Sequence, residues 1–300
     1  MNKIPAFLKE EYPFRQNSFD IGNGNKINYV DEGEGDVVVM LHGNPTWSFY
    51  YRNLIKNLRS SFRCIAIDNI GCGLSDKPQN YDYCLANHIQ NAQKLLEHLK
   101  LNRFHLVMHD WGCAIGIPLA ERWPERVESF VIMNGAAFTS KLIPWRINIC
   151  RMPILGDILI RGLNLFVLAS NMMSTTKGLS EVVAAGYKFP YNSWANRIAV
   201  RKFVSDIPMN PRHKSWNVLK KSEDELCLLA HKQALLLWGA DDFCFTEPFL
   251  HEWEDYFPKS QTEIIEDCGH YVLEDAKYDA IDKIHGFLVK SKVPNVMLYK

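Results

Sequence analysis

The stretch VMHDWGCAIG, residues 107–116, decides the fold because an apolar strand runs directly into a helix within it. The run FHLVMH (104–109) has strand length, and GCAIGIPLAERW (112–123) has helical period and ends before Pro124. A sharp strand-to-helix turn brings the residue at its tip, Asp110, to the carboxyl edge of a parallel sheet. A nucleophilic serine commonly occupies such a turn, so the aspartate has to be explained.

Short apolar runs alternate with segments of helical period along the rest of the chain, which predicts a mainly parallel sheet with crossover helices. SFDIG (18–22) and KINYVDEG (26–33) flank NGN and indicate an antiparallel hairpin. We therefore predict an α/β fold with an eight-stranded, mostly parallel sheet. Besides 104–109, the predicted core strands are VVVMLH (37–42), RCIAID (63–68), VESFVIMN (127–134), ALLLWG (234–239) and TEIIED (262–267).

A gap of about 100 residues separates the fourth core run from the fifth and is too long for a loop in a compact domain. Residues 137–225 are rich in Leu, Ile, Met, Trp and Pro and include helix-like stretches such as ILGDILIRGLNLFVLAS (154–170). We predict that 137–225 form a helical cap inserted into a core of residues 1–136 and 226–300. A C-terminal helix from about Glu274 closes that core.

Composition indicates which partners the chain can bind and where in the cell it is expected. The 34 basic and 34 acidic residues cancel, so the chain as a whole has no electrostatic footprint for nucleic acid or an anionic membrane. The eight cysteines lack C-x-x-C pairs and zinc-ligand spacing, and the N-terminus lacks the apolar centre of a signal peptide. No apolar run approaches the roughly 20 residues of a spanning helix. We predict a cytoplasmic protein without metal, cofactor or membrane span that binds a small, apolar molecule; its oligomeric state stays open.

Three polar residues directly follow strand-like runs: Asp110, Asp242 in WGADDF (238–243) and His270 in DCGHYVLED (267–275). Their order along the chain, nucleophile, acid and base, is the order of α/β-hydrolases. A helix N-cap would account for Asp110 alone. It would not account for an acid and a histidine at two further strand ends.

Several neighbouring residues have simpler explanations. Ser75, in IGCGLSDKP (70–78), follows an earlier strand and lacks the second glycine of a nucleophile turn, so we interpret it as fixing a loop together with Asp68. His109 is expected to point away from the site and to be packed or to cap. Met108 stands where a glycine is usual.

Two neutral donors lie beside the proposed nucleophile. HGNPTW (42–47) follows the first core run, in the region that supplies half of an oxyanion hole, and His42 and Gly43 shape its turn. Asn44 offers an amide and Trp111 an indole N–H. Such a pair indicates binding of an anion that appears during the reaction, although a turn asparagine and a core tryptophan remain the alternative.

The chain resembles the haloalkane dehalogenase family of α/β-hydrolases over nearly its whole length. The resemblance implies that Asp110 is the nucleophile, His270 the base and Asp242 the acid, and that Asn44 and Trp111 hold the departing halide. It rests on HGNPTWSFYYRNL (42–54), DNIGCGLSDKP (68–78), HDWG (109–112), YNSWANRIAVRKFVSDIP (191–208), WGADDF (238–243) and GHYVLED (269–275).

The position of the acid separates branches of this family. Some members place a glutamate after the strand that corresponds to VESFVIMN, whereas this chain has NGAAF (134–138) there, which favours the late aspartate, Asp242, with its neighbour Asp241 as a fallback. Within that branch, DNIGCGLSDKP (68–78) and GHYVLEDA (269–276) look similar to the β-lactone decarboxylases of bacterial long-chain olefin synthesis. Those enzymes share the same machinery.

An aspartate nucleophile predicts reaction at an alkyl carbon or a strained ring. Displacement by Asp110 leaves an ester, which water activated by His270 can open. The first expectation is conversion of a haloalkane to an alcohol and halide, and the alternative is a β-lactone converted to an alkene and CO2. Epoxide hydrolysis, with Tyr187 and Tyr191 on the epoxide oxygen, and a non-catalytic binding protein are the remaining hypotheses.

Overall fold

The computed structural model describes residues 4–22 and 24–291, and a single eight-stranded sheet forms its centre. Its order is β1-β2-β4-β3-β5-β6-β7-β8; β2 is antiparallel to both of its neighbours, and every other pair is parallel. The predicted α/β fold with a mostly parallel eight-stranded sheet is confirmed. The strands are β1 (Gln16–Gly22), β2 (Asn25–Glu32), β3 (Asp36–Leu41), β4 (Phe62–Ile67), β5 (Phe104–His109), β6 (Val127–Met133), β7 (Gln233–Gly239) and β8 (Gln261–Ile265).

The two faces of the sheet carry separate apolar cores. Successive side chains of a strand point to opposite faces, so Val39 and Leu41 enter one core while Val38 and Met40 enter the other. Helices α2, α3, α8 and α9 pack on the first face, and α1, α10 and α11 on the second. The α-helices are α1 (Arg52–Leu58), α2 (Leu85–His98), α3 (Trp111–Arg122), α4 (Trp145–Arg151), α5 (Leu165–Met173), α6 (Glu181–Lys188), α7 (Ile198–Ser205), α8 (Trp216–Glu225), α9 (Glu247–Tyr256), α10 (Val272–Asp275) and α11 (Lys277–Lys290).

The predicted hairpin is formed by β1 and β2, which pair from Gln16 opposite Val30 to Gly22 opposite Asn25. Asn23 of the predicted turn, the first three residues of the N-terminal segment and residues 292–300 lie outside the described residues.

The long connection between β6 and β7 is helical, as predicted. It contains α4 to α8 and a π-helix, Asp157–Gly162. The helix-like stretch 154–170 is divided at Asn164, whose left-handed conformation (φ 56°) precedes α5. Ile160 and Val167 join residues of α7 in a small apolar cluster of their own, whereas Leu219 of α8 belongs to the core around α3. Within the described residues, no helix has the length and apolar character needed to cross a bilayer.

The order of the strands creates a crevice at one edge of the sheet. β4 and β5 lie on opposite sides of β3, so the chain leaves the carboxyl ends of β3 and β5 in opposite directions. Ligands of doubly wound sheets bind at such a switch point. Asn44 follows β3 and Asp110 follows β5 at this place.

Candidate active site

Asp110 occupies the sharp turn between β5 and α3 with φ 53° and ψ −124°. A non-glycine residue in such a conformation is strained by about 1–3 kcal/mol and persists only where its surroundings fix it. Its side chain makes no capping bond to α3, so Asp110 is not an ordinary helix N-cap. Close approach of Gly43 helps to hold the turn, because a Cβ there would lie 2.0 Å from Asp110 Oδ1. The turn therefore needs a residue without a side chain at position 43.

Met108 is the unexpected residue of the turn, and it fits because α3 has a glycine, Gly116, opposite its side chain. Met108 is fully buried, and a Cβ on Gly116 would lie 2.4 Å from its sulfur. Gly116, in the second turn of α3, therefore compensates for the methionine that stands where a glycine is usual.

His270 and Asp242 meet Asp110 at the carboxyl edge of the sheet. The Nδ1 of His270 lies 2.8 Å from Asp242 Oδ2, and its Nε2 lies 3.9 Å from Asp110 Oδ2. Asp242 is only 3% exposed, and its Oδ1 accepts a hydrogen bond of 2.7 Å from the Cys244 main-chain N–H. The side chain of Asp241 is exposed instead. The geometry thus places Asp242, and not the fallback Asp241, against the histidine.

Asn134 holds the acid in place, a role that the sequence did not indicate. Its side-chain amide donates to Asp242 Oδ2 at 2.9 Å, and its Oδ1 accepts from the Gly239 N–H at 2.8 Å. Asn134 follows β6 directly, so it shares the sheet edge at which the other polar residues stand. That placement at a strand end is the signal in the sequence, although it does not reveal that the amide holds Asp242.

Burial and neighbouring charges shift the pKa values of His270 and Asp110. Burial lowers the pKa of His270, but the charge and hydrogen bond of Asp242, and then the charge of Asp110, outweigh it and raise that pKa above its usual value. Burial raises the pKa of Asp110, while His270 and the main-chain N–H groups of Trp111 and Asn44 oppose that rise. These donors favour the ionised carboxylate that a nucleophile requires.

The two predicted donors both stand on the wall next to Asp110. The main-chain N–H of Asn44 donates to Asp110 Oδ1 at 2.7 Å, and one side-chain N–H donates to the Val200 carbonyl at 3.3 Å. Since an amide carries two N–H donors, the second stays available to a ligand. The Trp111 ring packs against Phe203 at 5.2 Å between centroids and lines the same cavity.

Ser75 fixes a loop and His109 is packed, as the sequence predicts, but His109 does not point away from the site, because its ring contacts that of His270. His109 is fully buried between the rings of Tyr50 and His270, at centroid distances of 4.5 and 4.4 Å, and its Nε2 lies 2.9 Å from the His270 carbonyl oxygen. Burial lowers its pKa, so the neutral ring donates to that carbonyl. The Ser75 hydroxyl donates to the Asp68 carbonyl at 2.7 Å and fixes the turn.

The tyrosines offered for an epoxide oxygen lie outside the site. The hydroxyl of Tyr187 donates to the Glu274 carboxylate, and that of Tyr191 donates to the Thr46 carbonyl at 3.1 Å. Both rings are buried and neither lines the cavity that contains Asp110. The epoxide hypothesis therefore loses the residues on which it rested.

Asp110 and His270 form the polar end of a cavity with about 1010 Å³ of empty space, including its opening to solvent. In the part of the chain that the structure describes, no group of three His, Cys, Asp or Glu side chains could hold a metal ion, and all eight cysteines are free thiols. The apolar wall is formed by Ala114, Phe138, Leu142, Ile143, Ile147, Phe166, Val204, Ile207, Met209, Leu219, Phe245 and Phe249.

A second apolar chamber adjoins the first. The two chambers have four lining side chains in common, Ile147, Phe166, Ser170 and Phe243, which form the boundary between them. Trp145, Ile149, Leu159, Leu165, Ala169 and Met173 are among the residues that complete the second chamber. The reactive carboxylate thus faces one apolar chamber, with another directly alongside it.

Comparison with known proteins finds relatives among α/β-hydrolases. Residues 36–149 match the family model described as alpha/beta hydrolase fold. A cis-3-alkyl-4-alkyloxetan-2-one decarboxylase of Shewanella oneidensis is 42% identical over 287 residues, which cover 93% of this chain and 90% of that protein. Haloalkane dehalogenase 2 of Mycobacterium tuberculosis is 31% identical over 268 residues, or 88% of this chain and 92% of that protein.

Solved structures agree on the fold. The haloalkane dehalogenase DbeA of Bradyrhizobium elkani superimposes with a TM-score of 0.86 at 24% identity and covers 93% of this chain and 98% of its own.

Proposed function

Because this chain belongs to the haloalkane dehalogenase family of α/β-hydrolases, together with the cis-3-alkyl-4-alkyloxetan-2-one decarboxylases, we propose that it decarboxylates a β-lactone with two alkyl substituents. The observation that carries the proposal is the apolar chamber that contains Asp110, together with the second apolar chamber directly alongside it. A disubstituted four-membered lactone has alkyl chains on neighbouring carbons. Each chamber would take one chain, at about 0.8 kcal/mol per buried methylene.

In the first step Asp110 opens the ring. A carboxylate oxygen of Asp110 forms a bond to ring carbon C4, the bond from C4 to the ring oxygen breaks, and its electrons leave a free carboxylate on C3. The side-chain donors of Asn44 and Trp111 line the cavity where this charge would develop. The attack inverts C4 and leaves the new carboxylate antiperiplanar to the Asp110 ester.

In the second step the ester leaves by elimination. The bond between C3 and the carboxylate carbon breaks, its electrons form the double bond between C3 and C4, and the bond from C4 to Asp110 breaks with its electrons returning to the aspartate. The products are CO2 and an alkene, and neither water nor a net proton is consumed. His270, 3.9 Å from Asp110 and with a raised pKa, would stabilise the returning carboxylate as a cation. Inversion followed by anti elimination converts a cis lactone to a cis alkene.

Haloalkane hydrolysis is the second candidate, and it is supported by the donor pair of Asn44 and Trp111, which could hold a departing halide. In that reaction Asp110 displaces halide at an alkyl carbon, and neutral His270, oriented by Asp242, activates water to open the ester. The same residues serve both reactions up to the covalent ester. They diverge only in how that ester breaks.

The division into a core of residues 1–136 and 226–300 and a cap of residues 137–225 belongs to the same proposal. The cap would exclude water from the ester and supply the apolar walls. It is supported by Leu142, Ile147 and Phe166, which come from the helical connection and line the cavity.

A substrate comparison on the purified chain tests the proposal. We expect a cis-3,4-dialkyl β-lactone to give cis alkene and CO2, and 1-bromoalkanes of matched chain length to release bromide far more slowly. Rapid bromide release without alkene would instead establish the dehalogenase. A variant with Asp241→Asn, which alters an exposed carboxylate beside the site, is the matched control and keeps the wild-type ratio of products.

A further inference from the structure

The helical connection exposes large apolar side chains on one face. Among the described residues, Ile154 is 76% exposed and Met172 is 81% exposed. Leu165, Leu168 and Met172 follow one another at spacings of three and four, so they share one side of α5. Trp145 and Leu165 both line the second chamber, which joins the start of α4 to that side of α5. We call this surface, together with the exposed Ile154 and Leu163 of the segment between α4 and α5, the α4–α5 face; its helical members are Trp145, Leu165, Leu168 and Met172.

The segment that carries the α4–α5 face has an excess of basic residues, although the charges of the whole chain are balanced. Residues 141–176 contain four basic side chains and one acidic side chain, Asp157. That carboxylate pairs with Arg201 at 3.2 Å and with Arg161, one of the four basic residues, at 3.7 Å. Lys141 and Arg146 are exposed, and the Arg146 guanidinium lies 4.9 Å from the centre of the Trp145 ring. Exposed apolar side chains are therefore bordered by exposed cations.

The face is continuous with the walls of the substrate chambers. Trp145 and Leu165 have one side in the second chamber and are also exposed to solvent, and Leu142 does the same for the first. An apolar substrate entering either chamber from this side would pass over these residues.

We propose that the α4–α5 face docks on an anionic lipid surface. Trp145 and the apolar side of α5 would sit at the boundary between headgroups and acyl chains, and Lys141 and Arg146 would contact lipid phosphates. Peripheral binding of this kind grows with buried apolar area and with attraction to anionic lipid. A second copy of the chain fits less well, because a symmetric contact through this face would bring its basic residues against one another. Docking places both chambers next to a phase in which alkyl substrates dissolve.

Vesicle sedimentation of the full chain tests the proposal. We expect the protein to sediment with phosphatidylcholine vesicles that contain about one third phosphatidylglycerol, at an ionic strength of about 0.1 M, and to sediment less in high salt. Pure phosphatidylcholine should bind it more weakly. Absence of sedimentation with the anionic vesicles would overturn the proposal.

Matched variants distinguish binding through the α4–α5 face from non-specific adsorption to vesicles. Ile154→Gln with Met172→Gln, which line neither chamber, should weaken binding at least about ten-fold. Lys141→Glu should weaken binding to anionic vesicles only. Tyr278→Gln with Val289→Gln, exposed on α11, is the control and should bind as the wild type does.

Two results would contradict docking through this face. The first is an equal loss of binding in the α11 control. The second is a concentration-dependent dimer in sedimentation velocity without lipid, abolished by Ile154→Gln with Met172→Gln while vesicle binding is unchanged. Turnover of a short-chain, water-soluble substrate should match the wild type in all variants, which verifies their folding.

Discussion

Asp110 has a strained backbone, and each of its two carboxylate oxygens faces a different neighbour. Its Oδ1 accepts the Asn44 main-chain N–H at 2.7 Å, and its Oδ2 lies nearer to His270. One oxygen is thus held by a main-chain donor, while the other is directed toward the histidine. Because alkylation at either oxygen gives an ester, the manner in which that ester breaks identifies the reaction.

Isotope labelling of Asp110 distinguishes the two ways in which the ester can break. During turnover in H₂¹⁸O, hydrolysis at the ester carbonyl inserts solvent oxygen into the aspartate, whereas decarboxylative elimination returns the original oxygen. We expect the peptide that contains Asp110 to remain unlabelled after many turnovers of a cis-β-lactone, as measured by mass spectrometry. Label accumulating in step with alkene formation would contradict the elimination step. The peptide that contains Asp242 is the internal control.

The contact between Asn134 and Asp242 gives a second prediction, about the pKa of His270. Asp242→Ala removes the charge that raises this pKa, and burial then lowers it, so the imidazole should lose its proton at lower pH. Adding Asn134→Glu introduces a carboxylate at a position whose present amide nitrogen lies 2.9 Å from Asp242 Oδ2, and it should raise the pKa of His270 again. Titration of His270 by ¹H–¹⁵N NMR measures both shifts.

A glutamine of the same length as the glutamate is the control for the effect of charge at position 134. Asn134→Gln combined with Asp242→Ala supplies the same side-chain length without charge and should leave the His270 pKa low. Equal values in the Glu and Gln backgrounds would show that position 134 does not reach the histidine.

The positions of Asp110, Asp242 and His270 could be predicted because the carboxyl ends of parallel strands meet at one edge, so chain order and strand ends suffice to bring them together. The end of β6 places Asn134 at the same edge, but it does not show that its amide holds Asp242, and Tyr187 could not be placed at all. Whether an asparagine supports the acid, or a tyrosine faces a cavity, depends on side-chain contacts between elements. Such contacts leave no periodic pattern in the sequence.

At the scale of elements, β5 and α3 fit together through Met108 and Gly116. Gly116→Ala places a Cβ 2.4 Å from the Met108 sulfur and should lower the free energy of unfolding by about 1–3 kcal/mol. Met108→Ala with Gly116→Ala removes the clash, so we expect the double variant to be more stable than the two single effects predict. Urea unfolding of all four proteins measures the coupling. Additive effects would contradict the proposed fit.

Helices α3 and α8 are joined by a carboxyl whose pKa is raised. Burial raises the pKa of Glu121 to about 7, against an ordinary value of 4.5, although the Ser222 hydroxyl donates to it at 2.8 Å. The folded state therefore keeps a proton that the unfolded state releases, and the stability contributed by the protonated group is lost as pH rises from about 4.5 to 7.

Replacing Glu121 by glutamine should remove this pH dependence. Relative to the wild type, Glu121→Gln should gain thermal stability between pH 5 and pH 8, as followed by the midpoint of circular dichroism melts. Glu125→Gln, in the exposed turn after α3, is the control for the loss of a negative charge. A difference between Glu121→Gln and the wild type that does not change with pH would contradict the assignment.

At the scale of the whole molecule, the overall composition does not reveal how charge is distributed along the chain. Equal numbers of acidic and basic residues indicated no electrostatic footprint, yet residues 141–176 carry an excess of basic side chains beside exposed apolar ones. The sheet could be predicted because its central strands β3, β5, β6 and β7 are nearly continuous apolar runs and because a turn signal lies between β1 and β2. The two chambers could not, since their shape depends on how α4, α5 and the connection after β7 pack over Asp110.

Alkene formation by the wild type and by Asp110→Asn tests most directly whether this carboxylate opens a β-lactone. Both proteins would be incubated with a cis-3,4-dialkyl β-lactone, and the products analysed by gas chromatography. We expect cis alkene from the wild type and a loss of at least about a thousand-fold in Asp110→Asn, because asparagine keeps the shape of the turn but not the nucleophilic charge. Alkene production by a folded Asp110→Asn protein at a rate near that of the wild type would contradict the proposed mechanism.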